Sequence, residues 1–152
     1  MASEAADRVR ELMDRIVAAT GVEASVRVRE DPDGIYGEYS GDDLGLLIGH
    51  HGQTIDAIQH LAYRIAFRGE GERRGVVIDA AGYRERRASA LRADADRAAA
   101  AALRDRRPVA LEAMSALERK VVHEHLRERH DVETYSEGQE PSRRLVVTPL
   151  VD

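Results

Sequence analysis

The sequence predicts an α+β fold built from two small units, residues 1–80 and 81–152, and three observations carry that expectation. Helical and strand periodicities follow one another in the order αββααβ and then αβαββ. The glycine-bearing break Ala80-Ala81-Gly82 separates the two series. Charge divides at the same point: residues 1–79 hold 9 Lys+Arg against 15 Asp+Glu, net −6, while residues 80–152 hold 14 against 13, net +1.

In the first series Ser3 reads as the N-cap of an amphipathic helix marked by Ala5, Val9, Leu12, Met13, Ile16 and Val17, and Thr20-Gly21 offers its stop. Val22, Ala24, Val26 and Val28 alternate with polar residues, then Asp31-Pro32-Asp33-Gly34 turns the chain into a second alternating run, Ile35 to Ser40. That pattern is a hairpin with one wet face. Asp42 and Asp43 are expected to cap a short helix, Leu44 to Ile48. Gly49-His50-His51-Gly52 interrupts it before helical spacing resumes at Ile55, Ile58, Ala62, Ile65 and Ala66. A charged loop, Arg68 to Arg74, leads to the β-rich run Val76-Val77-Ile78. Tyr36, Tyr39, Tyr63 and Phe67 are expected in the core.

The second series opens with a long helix, Tyr83 to Arg107, whose stripe of Ala88, Leu91, Ala95, Ala98 and Ala102 allows close approach to a neighbour. Pro108 stops it. Val109-Ala110-Leu111 reads as a short strand, and Met114, Leu117 and Val121 mark a helix running to about Arg129. Strands are expected near Val132 to Ser136 and Arg143 to Thr148.

Composition removes several classes of function. A chain of 152 residues buries roughly 68–70% of its unfolded surface, so a core needs no staples. With 43% hydrophobic and 34% charged residues it is too apolar for disorder, and no apolar run approaches the ~20 residues of a membrane span. Zero Cys excludes disulfides, thiolate metal sites and a cysteine nucleophile. The opening residues mix acids and bases without an apolar h-region, which predicts no signal peptide and a cytoplasmic location. Aromatic residues are only 4%, a poor supply for binding modes built on rows of stacking rings.

Gly49-His50-His51-Gly52 is the first motif with chemistry in it. Glycines at both ends permit a tight turn that leaves the backbone open, so a sugar-phosphate strand can lie against the loop and the following helix N-terminus. Taken alone, the spacing is read first as a plain glycine-capped corner between helices. Set in its context, the run Gly41-Asp-Asp-Leu-Gly-Leu-Leu-Ile-Gly-His-His-Gly-Gln-Thr-Ile-Asp-Ala-Ile-Gln-His60 resembles a type II KH domain, most of all that of the bacterial Jag (SpoIIIJ-associated, KhpB) family. KH domains hold about four single-stranded nucleotides at the Gly-x-x-Gly loop, over an apolar groove. The resemblance implies contacts from Ile48, Gly49, His50, His51, Gly52, Gln53 and Thr54. KH loops often carry Lys or Arg at a variable position. Here both are histidine, a residue type that is mostly neutral near pH 7.

The second motif is Arg119-x-x-x-His123. On a helix, Arg119, Lys120, His123 and Arg127 share one face, with Leu117 and Val121 opposite. Read without context, such a face is also an ordinary solvated one pairing with Glu112, Glu124 and Glu128. Together with the segment Val132 to Val147 it resembles the single-stranded nucleic-acid-binding domain named for its Arg-x-x-x-His motif, and a KH domain followed by that domain is the Jag arrangement. The resemblance implies phosphate contacts from the helix face, extended by Arg143 and Arg144. It also expects a member lacking the N-terminal domain that many of the family carry.

Enzymatic readings find little. His123-Glu124-His125 lacks the i, i+4 histidine pair of H-E-x-x-H, no phosphate-binding G-x-x-x-x-G-K-[ST] occurs, and no cofactor or metal is expected. The expectation is a cytoplasmic, non-catalytic protein that binds single-stranded RNA, with single-stranded DNA as the related ligand. The resemblance adds post-transcriptional regulation linked to cell division or envelope growth, and a second small KH-domain protein as partner. The alternative is a protein-interaction module using the acidic first half.

Overall fold

The computed structural model describes residues 1–69 and 71–150. The chain divides after Arg84 into two compact units, Met1–Arg84 and Glu85–Asp152.

In the first unit α1 (Glu4–Thr20) starts at Ser3, whose hydroxyl accepts from the Ala6 N–H, and stops at Gly21 in the left-handed conformation, φ 71°. Strands β1 (Ser25–Asp31) and β2 (Gly34–Ser40) form the expected hairpin, and β3 (Gly75–Ala80) adds parallel to β2, giving the order β1-β2-β3. The helices α2 (Gly45–Ile48) and α3 (Gln53–Ala66) lie between β2 and β3 in sequence, joined by a 3₁₀ turn at His50–Gly52. Val9, Met13, Ile35, Leu47, Ile55 and Ile78 fill the core. Tyr39 is fully buried there, its hydroxyl donating to the Met13 carbonyl at 3.2 Å, and burial pushes the phenol up to about 12. The base of the sheet is pinned by Glu30, which accepts from the Ser3 N–H (2.7 Å), the Ser3 hydroxyl (2.9 Å) and Arg74 Nη2 (3.0 Å).

Three local expectations change. Val22 and Ala24 precede the strand, which begins at Ser25. The N-cap of α2 is Leu44, with no side-chain cap bond, so Asp42 and Asp43 do not cap it. Tyr36 faces outward rather than into the core: successive strand residues alternate faces, Ile35 and Tyr39 take the inner one, and the Arg29 guanidinium lies 4.0 Å from the Tyr36 ring centre.

In the second unit α4 (Tyr83–Asp105), whose first two residues belong to the first unit, buries Leu91, Ala95, Ala98, Ala99 and Ala102. It ends before Arg106, φ 53°, two residues short of the expected limit. Strands β4 (Val109–Ala110), β5 (Val132–Glu137) and β6 (Arg144–Pro149) pair antiparallel in the order β4-β6-β5. Between β4 and β5 runs α5 (Ala116–Arg127), capped by the Ser115 hydroxyl, which accepts from the Glu118 N–H. Met114 therefore precedes the helix rather than marking it. Arg87 Nε to Glu118 (2.8 Å) and His125 Nε2 to Asp96 (2.9 Å) tie α5 to α4.

The buried stripe of α5 is Arg119, Val122 and Leu126. This reverses the expected orientation: Leu117 is 71% exposed, while Arg119, at 8%, points inward. Nothing local in the sequence marks an arginine as core, because its partners come from before the helix and from the hairpin after it.

Candidate nucleic-acid interface

The loop of the first unit is shaped by its two glycines. Gly49 (φ 74°) and Gly52 (φ 80°) occupy backbone conformations that side chains disfavour. Space is also closed to a side chain at both: a Cβ on Gly49 would lie 2.2 Å from Thr54 Oγ1, and one on Gly52 would lie 2.7 Å from Tyr83 Cε1. Ile48, partly buried, packs against the core under the loop, and Gln53 and Thr54 form the first turn of α3. Within the turn the Gly52 N–H donates to the Gly49 carbonyl at 3.3 Å and the Gln53 N–H to the His50 carbonyl, so the helix N-terminus offers a phosphate chiefly its dipole and the amides beyond Gln53.

His50 and His51 are brought together. Their rings stack with centroids 3.8 Å apart and planes 25° apart, and His51 holds a left-handed backbone, φ 53°. The loop thus presents two imidazoles and no permanently charged side chain. Beside α2 a cleft of about 630 Å³ is lined by Val22, Glu23, Gly41, Asp42, Asp43 and Leu46, the last 62% exposed. The lining sets Val22 and Leu46 beside three carboxylates.

The structure separates Arg119 from the other residues expected on α5. Its Nη1 donates to the Met114 carbonyl at 2.6 Å and its Nη2 pairs with the Glu140 carboxylate, closing the loop between β5 and β6 onto the helix. The hydrogen bond from Arg119 holds the Glu140 carboxyl below the usual glutamate range. Arg119 is therefore not part of an exposed basic face. Lys120, His123 and Arg127 are: all three are exposed and spaced one and two turns apart. Lys120 Nζ lies 3.9 Å from Glu124, the His123 Nδ1 meets the Thr134 hydroxyl, and Arg127 makes no ion pair among the described residues. On the hairpin, Arg143 Nη1 donates to the Gly138 carbonyl at 2.6 Å, and Arg144 pairs with Glu137 at 2.7 Å. Both guanidiniums are engaged inside the unit, although Arg144 is exposed.

Sequence reasoning assigned no role to two residues at the start of α4. Tyr83 lies against Gly52, and Arg84 binds four groups of the first unit: its N–H donates to Asp79 (3.2 Å), Nε to the Ile78 carbonyl (2.8 Å), Nη1 to Asp56 (2.7 Å) and Nη2 to Gln59 (3.0 Å). The only sequence signal for either is its place directly after the Ala81-Gly82 turn.

Among the described residues no three His, Cys, Asp or Glu side chains converge as a metal ion needs, and no helix is long and apolar enough to cross a membrane.

Comparison with known proteins finds both halves. Residues 6–78 match the KH domain of KhpA/KhpB, and residues 89–149 match the domain named for the Arg-x-x-x-His motif. The chain is 33% identical over 144 residues to the RNA-binding protein KhpB of Clostridium symbiosum, covering 93% of this chain and 65% of that protein. It is 31% identical over 138 residues to RNA-binding protein KhpB of Bacillus subtilis, covering 90% and 66%, and 42% identical over 103 residues to that of Lactiplantibacillus plantarum, covering 68% and 32%. The chain thus spans just under two thirds, or less, of the length of these relatives.

Proposed function

Because the chain belongs to the KhpB (Jag) family, which joins a KH domain to an Arg-x-x-x-His domain, we propose that it is a non-catalytic protein of the cytoplasm that binds single-stranded RNA through both units. The observation that carries this reading is the Gly49–Gly52 loop. It is a glycine-bounded turn leading into a helix N-terminus, whose dipole favours a phosphate without help from a charged side chain. The Lys120, His123 and Arg127 face of α5 supplies the cationic contacts that the loop lacks. Two weak sites on one chain gain affinity because binding at one raises the effective concentration at the other. Arg119 serves the second site indirectly, by fixing the loop between β5 and β6. Family membership supports the finer reading, a post-transcriptional regulator linked to cell division or envelope growth that pairs with a second small KH-domain protein.

A second reading has one observation in its favour. Glu23, Asp42 and Asp43 rim the cleft next to exposed Leu46, and three carboxylates suit a basic, apolar protein segment better than a phosphate.

Fluorescence anisotropy with a short unpaired RNA tests the choice. His50→Asp/His51→Asp places two negative charges where the RNA backbone lies and leaves both glycines in place. Affinity is expected to fall by at least about tenfold, which corresponds to ~1.4 kcal/mol. Unchanged affinity in a folded double variant overturns the loop assignment.

A further inference from the structure

We infer that Tyr83 is a nucleic-acid contact, its ring forming the wall of the Gly49–Gly52 loop against which the base or sugar of the held nucleotide packs. The inference rests on the proposal that the loop holds unpaired RNA.

The geometry places the ring at the loop itself. A Cβ on Gly52 would lie 2.7 Å from Cε1, 3.1 Å from the hydroxyl oxygen and 3.3 Å from Cζ of Tyr83. The hydroxyl-bearing edge of the phenol therefore fills the space a side chain at Gly52 would take. A nucleotide whose phosphate rests on the loop meets this ring beside the His50 and His51 imidazoles. Tyr83 is partly buried, packed against the edge of the first unit's core.

The ring is also held in place beforehand. The next residue, Arg84, is fastened to Asp79, Ile78, Asp56 and Gln59, and this fixes the first turn of α4 on the unit that carries the loop. A group fixed before the ligand arrives costs little ordering entropy on binding.

The first unit holds four other Tyr and Phe rings. Tyr39 is in the core, Tyr63 and Phe67 pack edge to face with centroids 5.6 Å apart, and Tyr36 lies beneath Arg29. A base stacks on an aromatic ring whatever its sequence, and such stacking is worth about tenfold in affinity. At a loop without Lys or Arg, it supplies binding that does not depend on charge.

The test uses the full chain and a bromouracil-substituted oligouridine of about eight nucleotides, a length within the usual range of single-strand sites. Irradiation is expected to link the RNA to the peptide carrying Tyr83. Tyr83→Leu, which keeps apolar bulk against Gly52, is expected to weaken binding about tenfold with the salt slope unchanged, and Tyr83→Phe to stay within about twofold. If the RNA binds but crosslinks only elsewhere, and Tyr83→Leu binds as the parent does, the inference is overturned and the loop reading stands. If the parent chain binds no RNA, both are overturned. If Tyr83→Leu loses folding stability, the crosslink in the parent chain decides.

Discussion

Arg119 Nη1 donates to the carbonyl oxygen of Met114 at 2.6 Å, from a side chain that is nine-tenths buried. The arginine of the Arg-x-x-x-His pattern thus closes the N-terminal approach to its own helix and, through Glu140, the hairpin beyond it. Within one motif the arginine is a buried structural pin, and the histidine is exposed on the next turn with its Nδ1 against the Thr134 hydroxyl.

Arg119→Met is expected to lower stability by ~1–3 kcal/mol in urea unfolding, the range for a buried carbonyl left without its donor. Arg119→Lys recovers only part of this, because an ammonium cannot reproduce two diverging guanidinium bonds. His123→Ala stays within about 0.5 kcal/mol of the parent. Equal losses at the two positions would contradict the division of roles.

The Arg119–Glu140 pair carries a pH signature. Glu140 has its carboxyl held below the ordinary value of 4.5, so its contribution is fully present above that value and is lost as pH falls through the lower folded-state value. Melting temperatures of the parent and of Glu140→Gln are expected to differ at about pH 6 and to converge as pH falls below the lowered folded-state value. Glu30 and Asp131, also depressed by their partners, titrate in both proteins and cancel in the comparison.

Substitution at the loop glycines is expected to disturb the fold itself. Gly49→Ala and Gly52→Ala are each expected to cost at least ~1 kcal/mol in thermal unfolding, since both add a positive-φ penalty to a collision with Thr54 or Tyr83. His51→Asn is tolerated at φ 53°, and His51→Val is destabilising, because a β-branched side chain fits the left-handed region poorly.

The outer face of α5 is read through salt. Replacing Lys120 and Arg127 with Gln is expected to shallow the plot of log affinity against log salt by about 0.7 for each phosphate that goes unneutralised. The same change at Arg144, which is paired with Glu137, has a smaller effect. An unaltered slope in the double variant removes the α5 face from the interface.

Much of the fold is legible in sequence because it is local. The Ser3 cap, the alternation in β1 and β2, the Gly49 and Gly52 punctuation and the alanine stripe of α4 each depend on residues within a few positions of one another. The failures share a cause in distance. Arg119 reads as surface until Glu140 and Met114 are brought to it, and Leu117 reads as core until Arg119 has taken the inward stripe. Asp42 and Asp43 have the right chemistry for a cap, yet the chain enters α2 through Leu44. Tyr83 is remote in sequence from Gly52, and only the fold sets one against the other.

The placement of β6 between β4 and β5 bears on how the polypeptide is made. Its inward residues Leu145 and Val147 complete the core of the second unit, and it is the last strand of that unit to leave the ribosome. Translation can therefore finish the first sheet while the second still waits for its middle, and a frameshift or premature stop ahead of Arg144 deletes the centre of that sheet rather than trimming its margin.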